Sequence, residues 1–302
     1  MEIKKSISKR NHNFGKNGKR QVFTERDNRI LQFLWKWKLA STATIHEAIG
    51  RPLSEYSTYK ALERLARNKF LETRYTFEQN FSSWILTDKG FEAIRAGLGD
   101  LCEEGYGSEN HWHDRNVVAF QLGEWATHQF PIVTHFSEQE MRRRRVDYYP
   151  SWVPNSKDHR PDGYTRILTG EKESVLAFEV ELWAKSLSTY ETTLRFYDLM
   201  KKISRVYWLI GDPYVKDLVL RAKSCIQDTS QNYHLFVDLQ DYLKSGWDAQ
   251  VLNERSERLG TFRENLQGLC GDSYGKYLGN IQGQSKVSVH YDPRKVLGKK
   301  RA

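Results

Sequence analysis

Pro161-Asp162-Gly163, followed after a short linker by Ser174-Val-Leu-Ala-Phe-Glu-Val-Glu-Leu182, is the stretch that decides how this chain is read. Side chains alternate along a strand, so Glu179 and Glu181 face one way while Phe178, Val180 and Leu182 face the other. An adjacent strand ending near Asp162 brings a third carboxylate beside them. Such a cluster is a hard-oxygen ligand set for Mg²⁺ or Mn²⁺, and an ion held there can activate water against a phosphodiester. The plainer reading is a sheet edge whose acidic face is solvated. The apolar remainder of the strand, and the Pro-Asp placed before it, favour the metal. Without its ion such a cluster repels itself, so neutralising one carboxylate is expected to stabilise the chain.

The 302 residues leave room for two domains and a proper core. No apolar run is long enough to span a bilayer, and no signal-like segment follows the basic start, which points to a cytoplasmic protein without a membrane segment. Cys102, Cys225 and Cys270 are far apart and form no metal-ligand pattern, as suits free thiols in a reducing compartment. The distribution of the +9 net charge says more than its size: residues 1–22 carry +6 and residues 286–302 carry +5, leaving −2 for the body. Basic arms on a near-neutral body suit phosphate-backbone binding, and DNA is the expected partner.

Residues 23–97 read as one unit. Thr24 caps a helix running to Leu39, with Ile30, Leu31, Leu34 and Trp35 at helical spacing. Ser41 or Thr42 opens a short second helix that Gly50-Arg51-Pro52 ends, and Ser54 opens a third. Two strand-like stretches follow, 70–77 and 82–86, and then Thr87-Asp88-Lys89-Gly90 caps a fourth helix. This order, with its Trp84-Ile-Leu-Thr-Asp-Lys-Gly90 ending, resembles a winged helix-turn-helix domain. That likeness implies a third helix entering the major groove, with Ser57, Thr58, Lys60 and Arg64 as candidate DNA contacts.

Residues 98–112 read as a linker. From 113 to 250 the pattern runs helix, three strands, helix, strand, helix, strand, which resembles the restriction-endonuclease-like core of the PD-(D/E)-x-K superfamily. The expected class is therefore α/β (α+β): a winged helix followed by a mixed-sheet domain. Residues 251–302 read as a weakly structured extension with a basic tail and little core. A winged helix joined to His113-Asp-Arg-Asn, Ser137-Glu138, His159-Arg-Pro-Asp-Gly163 and Glu179-Val-Glu181, with Tyr190 and Tyr197 on the next helix, is similar to the replication-relaxation family, to which MobC-type relaxases belong.

That resemblance implies nicking of one DNA strand at a plasmid transfer origin, with accessory mobilisation or coupling proteins as possible partners. It implies an acidic centre of Glu138, Asp162, Glu179 and Glu181. The metal ligands would be Glu138, Asp162, Glu179 and the Val180 carbonyl. His113 and His159 match further family positions without an assigned role. Glu181 stands where the wider superfamily usually has Lys, and Lys185 is the candidate substitute at the strand's end. Arg142, Arg143, Arg144 and Arg145 read either as a phosphate clamp or as a solvated charge run. The alternatives are a non-catalytic origin-binding or replication-initiation protein, and a dimeric sequence-specific endonuclease.

Overall fold

The computed structural model describes residues 12–14, 20–50, 53–76, 81–126, 131–155, 158–226 and 233–271, with backbone alone at 12–14, 20–22, 76 and 81. Within the expected N-terminal arm, β1 (His12–Phe14) and β2 (Arg20–Val22) pair antiparallel. The rest of that arm and the basic tail lie outside the described residues.

Helix α1 (Glu25–Trp37) opens on a capping box in which the Thr24 hydroxyl accepts from the Asp27 amide and the Asp27 carboxylate accepts from the Thr24 amide. Its buried stripe is Ile30, Leu31, Leu34 and Trp35. Next come β3 (Leu39–Ala40), α2 (Thr42–Ala48), capped by Ser41, and α3 (Glu55–Arg67), capped by Ser54. β4 (Leu71–Thr76) and β5 (Phe81–Leu86) form the wing, and α4 (Asp88–Ile94) closes the unit. The three strands pair antiparallel in the order β3-β5-β4. The Thr-Asp-Lys-Gly signature has a steric cause. Thr87 caps α4 through the Gly90 amide, and a Cβ on Gly90 would lie 2.0 Å from the Phe70 carbonyl oxygen.

The segment 98–112, read from sequence as a linker, is fastened along its length. Leu98 is buried, Leu101 bridges to Arg144, and the Gly105 carbonyl accepts from Trp35 Nε1 (3.2 Å) and Gln139 Nε2 (2.9 Å). Helix α5 (His111–Val117) starts within it, capped by Asn110, ahead of the boundary at 113. It gives way to a π turn at Val118–Leu122 and a 3-10 turn at Gly123–Ala126. Gly123 (φ +42°) permits that change, since a Cβ there would meet the Trp247 indole.

The second domain continues with β6 (Val133–Ser137), α6 (Glu138–Arg143), β7 (Gly163–Thr169), β8 (Lys172–Glu181), α7 (Leu187–Leu199) and β9 (Ile203–Ile210). After these come α8 (Pro213–Cys225), β10 (Tyr233–Asp238), α9 (Leu239–Ser245), β11 (Gln250–Leu252), β12 (Arg258–Thr261) and α10 (Phe262–Cys270). All seven strands lie in one mixed sheet, ordered β12-β11-β10-β9-β8-β7-β6. β6-β7-β8 form an antiparallel meander, and α7 and α8 are the crossovers that make β8-β9 and β9-β10 parallel. One face packs on α5, its irregular continuation, α9 and α10; the other packs on α7 and α8.

Residues 250–271 correct the expectation of a weakly structured extension. They supply two strands, and Phe262, Leu266 and Cys270 of α10 are buried in the core. Cys102, Cys225 and Cys270 are free thiols. No helix among the described residues is long and apolar enough to cross a membrane.

The C-terminal turn of α1 joins the two domains. The Lys36 ammonium reaches the His135 carbonyl (2.8 Å) and Glu140 (2.9 Å), and the Lys36 carbonyl accepts from the Ser137 hydroxyl (2.9 Å). Trp37 packs edge-on to His135, and Arg144 lies over Trp35.

Candidate active site at the end of the central sheet

β8 is an interior strand, third from the β6 edge, so its acidic face is not a solvated rim. Alternation holds as the sequence requires. Phe178, Val180 and Leu182 enter the core on the α10 side, whereas Glu179 and Glu181 turn toward the α7 side, with Val175 and Ala177 of the same strand in that core. Both carboxylates are buried, at 4% and 5% exposure. Burying an ion costs several kcal/mol unless it is paired, so the partners matter.

Register brings Asp162 to them. The Asp162 amide donates to the Phe178 carbonyl (3.0 Å), its carbonyl accepts from the Glu138 amide (3.0 Å), and its carboxylate accepts from the Val180 amide (2.7 Å). Asp162, Glu138 and the strand end Glu179–Glu181 thus meet where β6 ends and β7 begins.

Each carboxylate has its own basic partner. His159 Nε2 lies 2.6 Å from Glu179 Oε1, which also accepts from the buried Tyr197 hydroxyl. Lys185 Nζ lies 2.7 Å from Glu181 Oε1. Lys38, at the end of α1 in the other domain, sets its ammonium 2.6 Å from Glu138 and 3.1 Å from Asp114. His113 turns Nδ1 toward Asp114 (3.4 Å) and Nε2 toward both Asp162 (3.3 Å) and the Val180 carbonyl (3.1 Å). Both ring nitrogens therefore face oxygen acceptors, which an imidazole satisfies only when doubly protonated.

The charges respond accordingly. Burial opposes the imidazolium of His113, but Asp162 and Asp114 overcome it and push the ring up to about 11. His159 is raised in the same way: burial opposes the charged ring, and Glu179 beside it outweighs that cost. Burial lifts the Glu181 carboxyl to about 7 despite Lys185.

The oxygen donors have the right chemistry for Mg²⁺ or Mn²⁺, but as arranged they do not fit one. Among the described residues no group of three or more His, Cys, Asp or Glu is placed to hold a metal ion. The carboxylates are engaged by ammonium and imidazole groups, and the Val180 carbonyl is taken by His113. Glu138 joins the centre through its backbone, while its side chain turns to Lys38. Lys185 is half-exposed and serves Glu181 rather than substituting at the strand. Lys38 and Asp114 had no sequence signal beyond the adjacency of Asp114 to His113.

The candidate DNA contacts divide. Thr58 is fully buried, held by Arg26 (2.8 Å) and His46 (2.8 Å), and cannot reach a base edge. Ser57 accepts from Arg26 (3.2 Å), and Arg64 pairs with the buried Asp27. Lys60 is exposed, paired with Glu63 (2.8 Å), beside the exposed Tyr56 and Tyr59 rings. Three residues of the arginine run are paired within the chain. Arg142 pairs with Glu109 (3.0 Å), the buried Arg143 with Glu103 (2.5 Å), and Arg144 donates to the Leu98 carbonyl (3.2 Å). Acidic residues of the 98–112 segment compensate the run in place of phosphate. Arg145 alone of the four is exposed.

The fold is a winged helix-turn-helix followed by an α/β domain built on a seven-stranded mixed sheet. No family model matches the chain, and no curated protein matches it. Two structures of the restriction endonuclease FokI, the second of them bound to DNA, are similar at 9% and 10% identity, with TM-scores of 0.26 and 0.25. The match covers 73% of this chain and 43% and 44% of theirs, so the chain spans less than half the length of those it matches. Similarity at that level adds nothing to the topology.

Proposed function

We propose that the chain is a DNA-processing enzyme in which the winged helix holds a DNA site and the centre around Asp162, Glu179 and Glu181 cleaves one strand. The observation that supports this most is the burial of Glu179 and Glu181 side by side on an interior strand. Packing alone gives no reason to retain two such carboxylates, because an apolar pair of similar volume avoids their desolvation. Glu181, titrating near neutrality, is suited to take a proton from an attacking water. Lys185, half-exposed beside it, is suited to meet a phosphate oxygen. The open face of α3, with Lys60 and Tyr56, and the basic terminal segments supply the contacts to DNA.

The narrower form of this reading is plasmid mobilisation: nicking at a transfer origin, with Mg²⁺ or Mn²⁺ as cofactor and accessory mobilisation proteins as partners. The order His113-Asp114, Ser137-Glu138, Asp162-Gly163, Glu179-Val-Glu181 supports it. Supercoiled origin plasmid, incubated with and without Mg²⁺, tests it. Open circles are expected; linear product would indicate a double-strand endonuclease, and unchanged plasmid a binder. Asp162→Asn should lower nicking by on the order of a hundredfold while DNA binding persists. Wild-type nicking by that variant would remove the centre from the reaction.

A further inference from the structure

Of the nine tryptophans Trp183 alone is exposed, at 63%, and it stands just past Glu181 at the end of β8. β8 and β9 run parallel with Glu181 opposite Ile210, so the segments leaving them emerge at one end of the sheet. They are in backbone contact there. The Gly211 amide donates to the Glu181 carbonyl (2.8 Å), and a Cβ on Gly211 would lie 2.5 Å from the Leu182 carbonyl oxygen. Trp183 continues one segment from this contact; Tyr214, 50% exposed, continues the other in the first turn of α8. The Asp212 carboxylate is turned back to cap α8 through the Tyr214 amide (2.9 Å). The half-exposed Lys185, its ammonium 2.7 Å from Glu181, and the exposed Arg160, just before Asp162, supply positive charge around the same strand end.

Exposed rings with cations close by match the two parts of a nucleotide, a flat base and a phosphate. The cations favour a polyanion over an apolar protein segment as the occupant. A base inside a duplex has both faces covered by its neighbours, so a protein ring can lie against it only once it has left the stack. We infer that Trp183 and Tyr214 form a base-stacking subsite at the carboxyl ends of β8 and β9, which takes unpaired bases of the DNA strand held at the neighbouring centre. This rests on the DNA-cleaving reading above and narrows its substrate from intact duplex to a locally opened strand. Both are positioning residues: stacking fixes the strand beside Glu181 without touching the reacting phosphate.

Fluorescence anisotropy of labelled oligo-dT, and of a labelled duplex, with the full chain tests it. Trp183→Ala should weaken oligo-dT binding by about tenfold or more and Tyr214→Ala by about threefold, with duplex binding changed by less than about twofold. Trp183→Phe should restore most of the affinity, whereas Trp183→Leu, which keeps apolar area without a ring, should not. Indole emission should be quenched by oligo-dT in the wild type and lose that quench in Trp183→Phe. Unchanged oligo-dT affinity in either alanine variant, equal loss on duplex, or full rescue by leucine overturns the subsite. Because binding is scored without cleavage, each of these results leaves the DNA-cleaving reading in place, and a chain that fails to nick plasmid can still show the stacking. Circular dichroism checks folding, and the phenylalanine and leucine variants carry the comparison if Trp183→Ala does not fold.

Discussion

One oxygen of the buried Glu179 carboxylate takes hydrogen bonds from both His159 and Tyr197. That pairing reverses a sequence-based sign. Carboxylates without an ion should gain from neutralisation, yet here each has a cation, so removing one charge removes an attraction. Glu179→Gln is expected to lower stability by on the order of 2 kcal/mol, less than for a fully enclosed pair because His159 keeps some exposure. Urea denaturation of the two chains checks it, and a variant as stable as wild type would mean that the pair contributes nothing. The acids themselves were legible, since alternation along an apolar strand fixes which side chains share a face. Their pairing was not: His113 and His159 stood out only as motif positions without a role, and Lys38 reaches the centre from the other domain, at separations that no local pattern encodes.

Among the elements, those with a steric or periodic cause were the readable ones. α1, α2 and α3 each begin at a hydroxyl that caps them, as their sequences indicate. The orientation of α3 was read less well. Ser57 and Thr58 are polar and look like exposed contacts, but Arg26 and His46 draw them inward. α10 was missed although Phe262, Leu266 and Cys270 recur every four residues, because the surrounding Gly and polar residues dilute the signal. The turn into α4 offers a test of steric cause. Gly90→Ala places a methyl against the Phe70 carbonyl and should destabilise the winged helix by about 3 kcal/mol. Thermal unfolding reads the change, and an unshifted midpoint would show that the turn relaxes freely.

At the scale of the whole molecule, the domain interface carries a pH dependence. His135 sits between Trp37 and Trp125, hydrogen-bonded to Thr165 (2.9 Å), and burial with the nearby Lys36 ammonium pushes its imidazole down to about 3. An unfolded imidazole takes its proton near pH 6.5. The stabilisation from a neutral ring is therefore present above that value and lost as pH falls toward 3, with a slope of at most about 1.4 kcal/mol per pH unit for one proton. His135→Gln should flatten this acid limb, read by denaturant titrations at pH 7 and pH 5 with tryptophan fluorescence. An equally steep decline in the variant would assign the loss to other groups.

Lys38 is a non-glycine residue at φ +64°, and its ammonium lies inside the neighbouring domain. One consequence concerns interchangeability. A winged helix that contributes a wall of the other domain's centre is not a cassette. Exchanging residues 23–97 for a foreign winged helix would delete that ammonium and leave Asp114 and Glu138 facing each other with no cation between them. Chimeras should work only when the graft carries a lysine at the end of its first helix. Under the proposed DNA-binding role, new specificity is reached by rewriting the outer face of α3, while the inner end of α1 stays as it is.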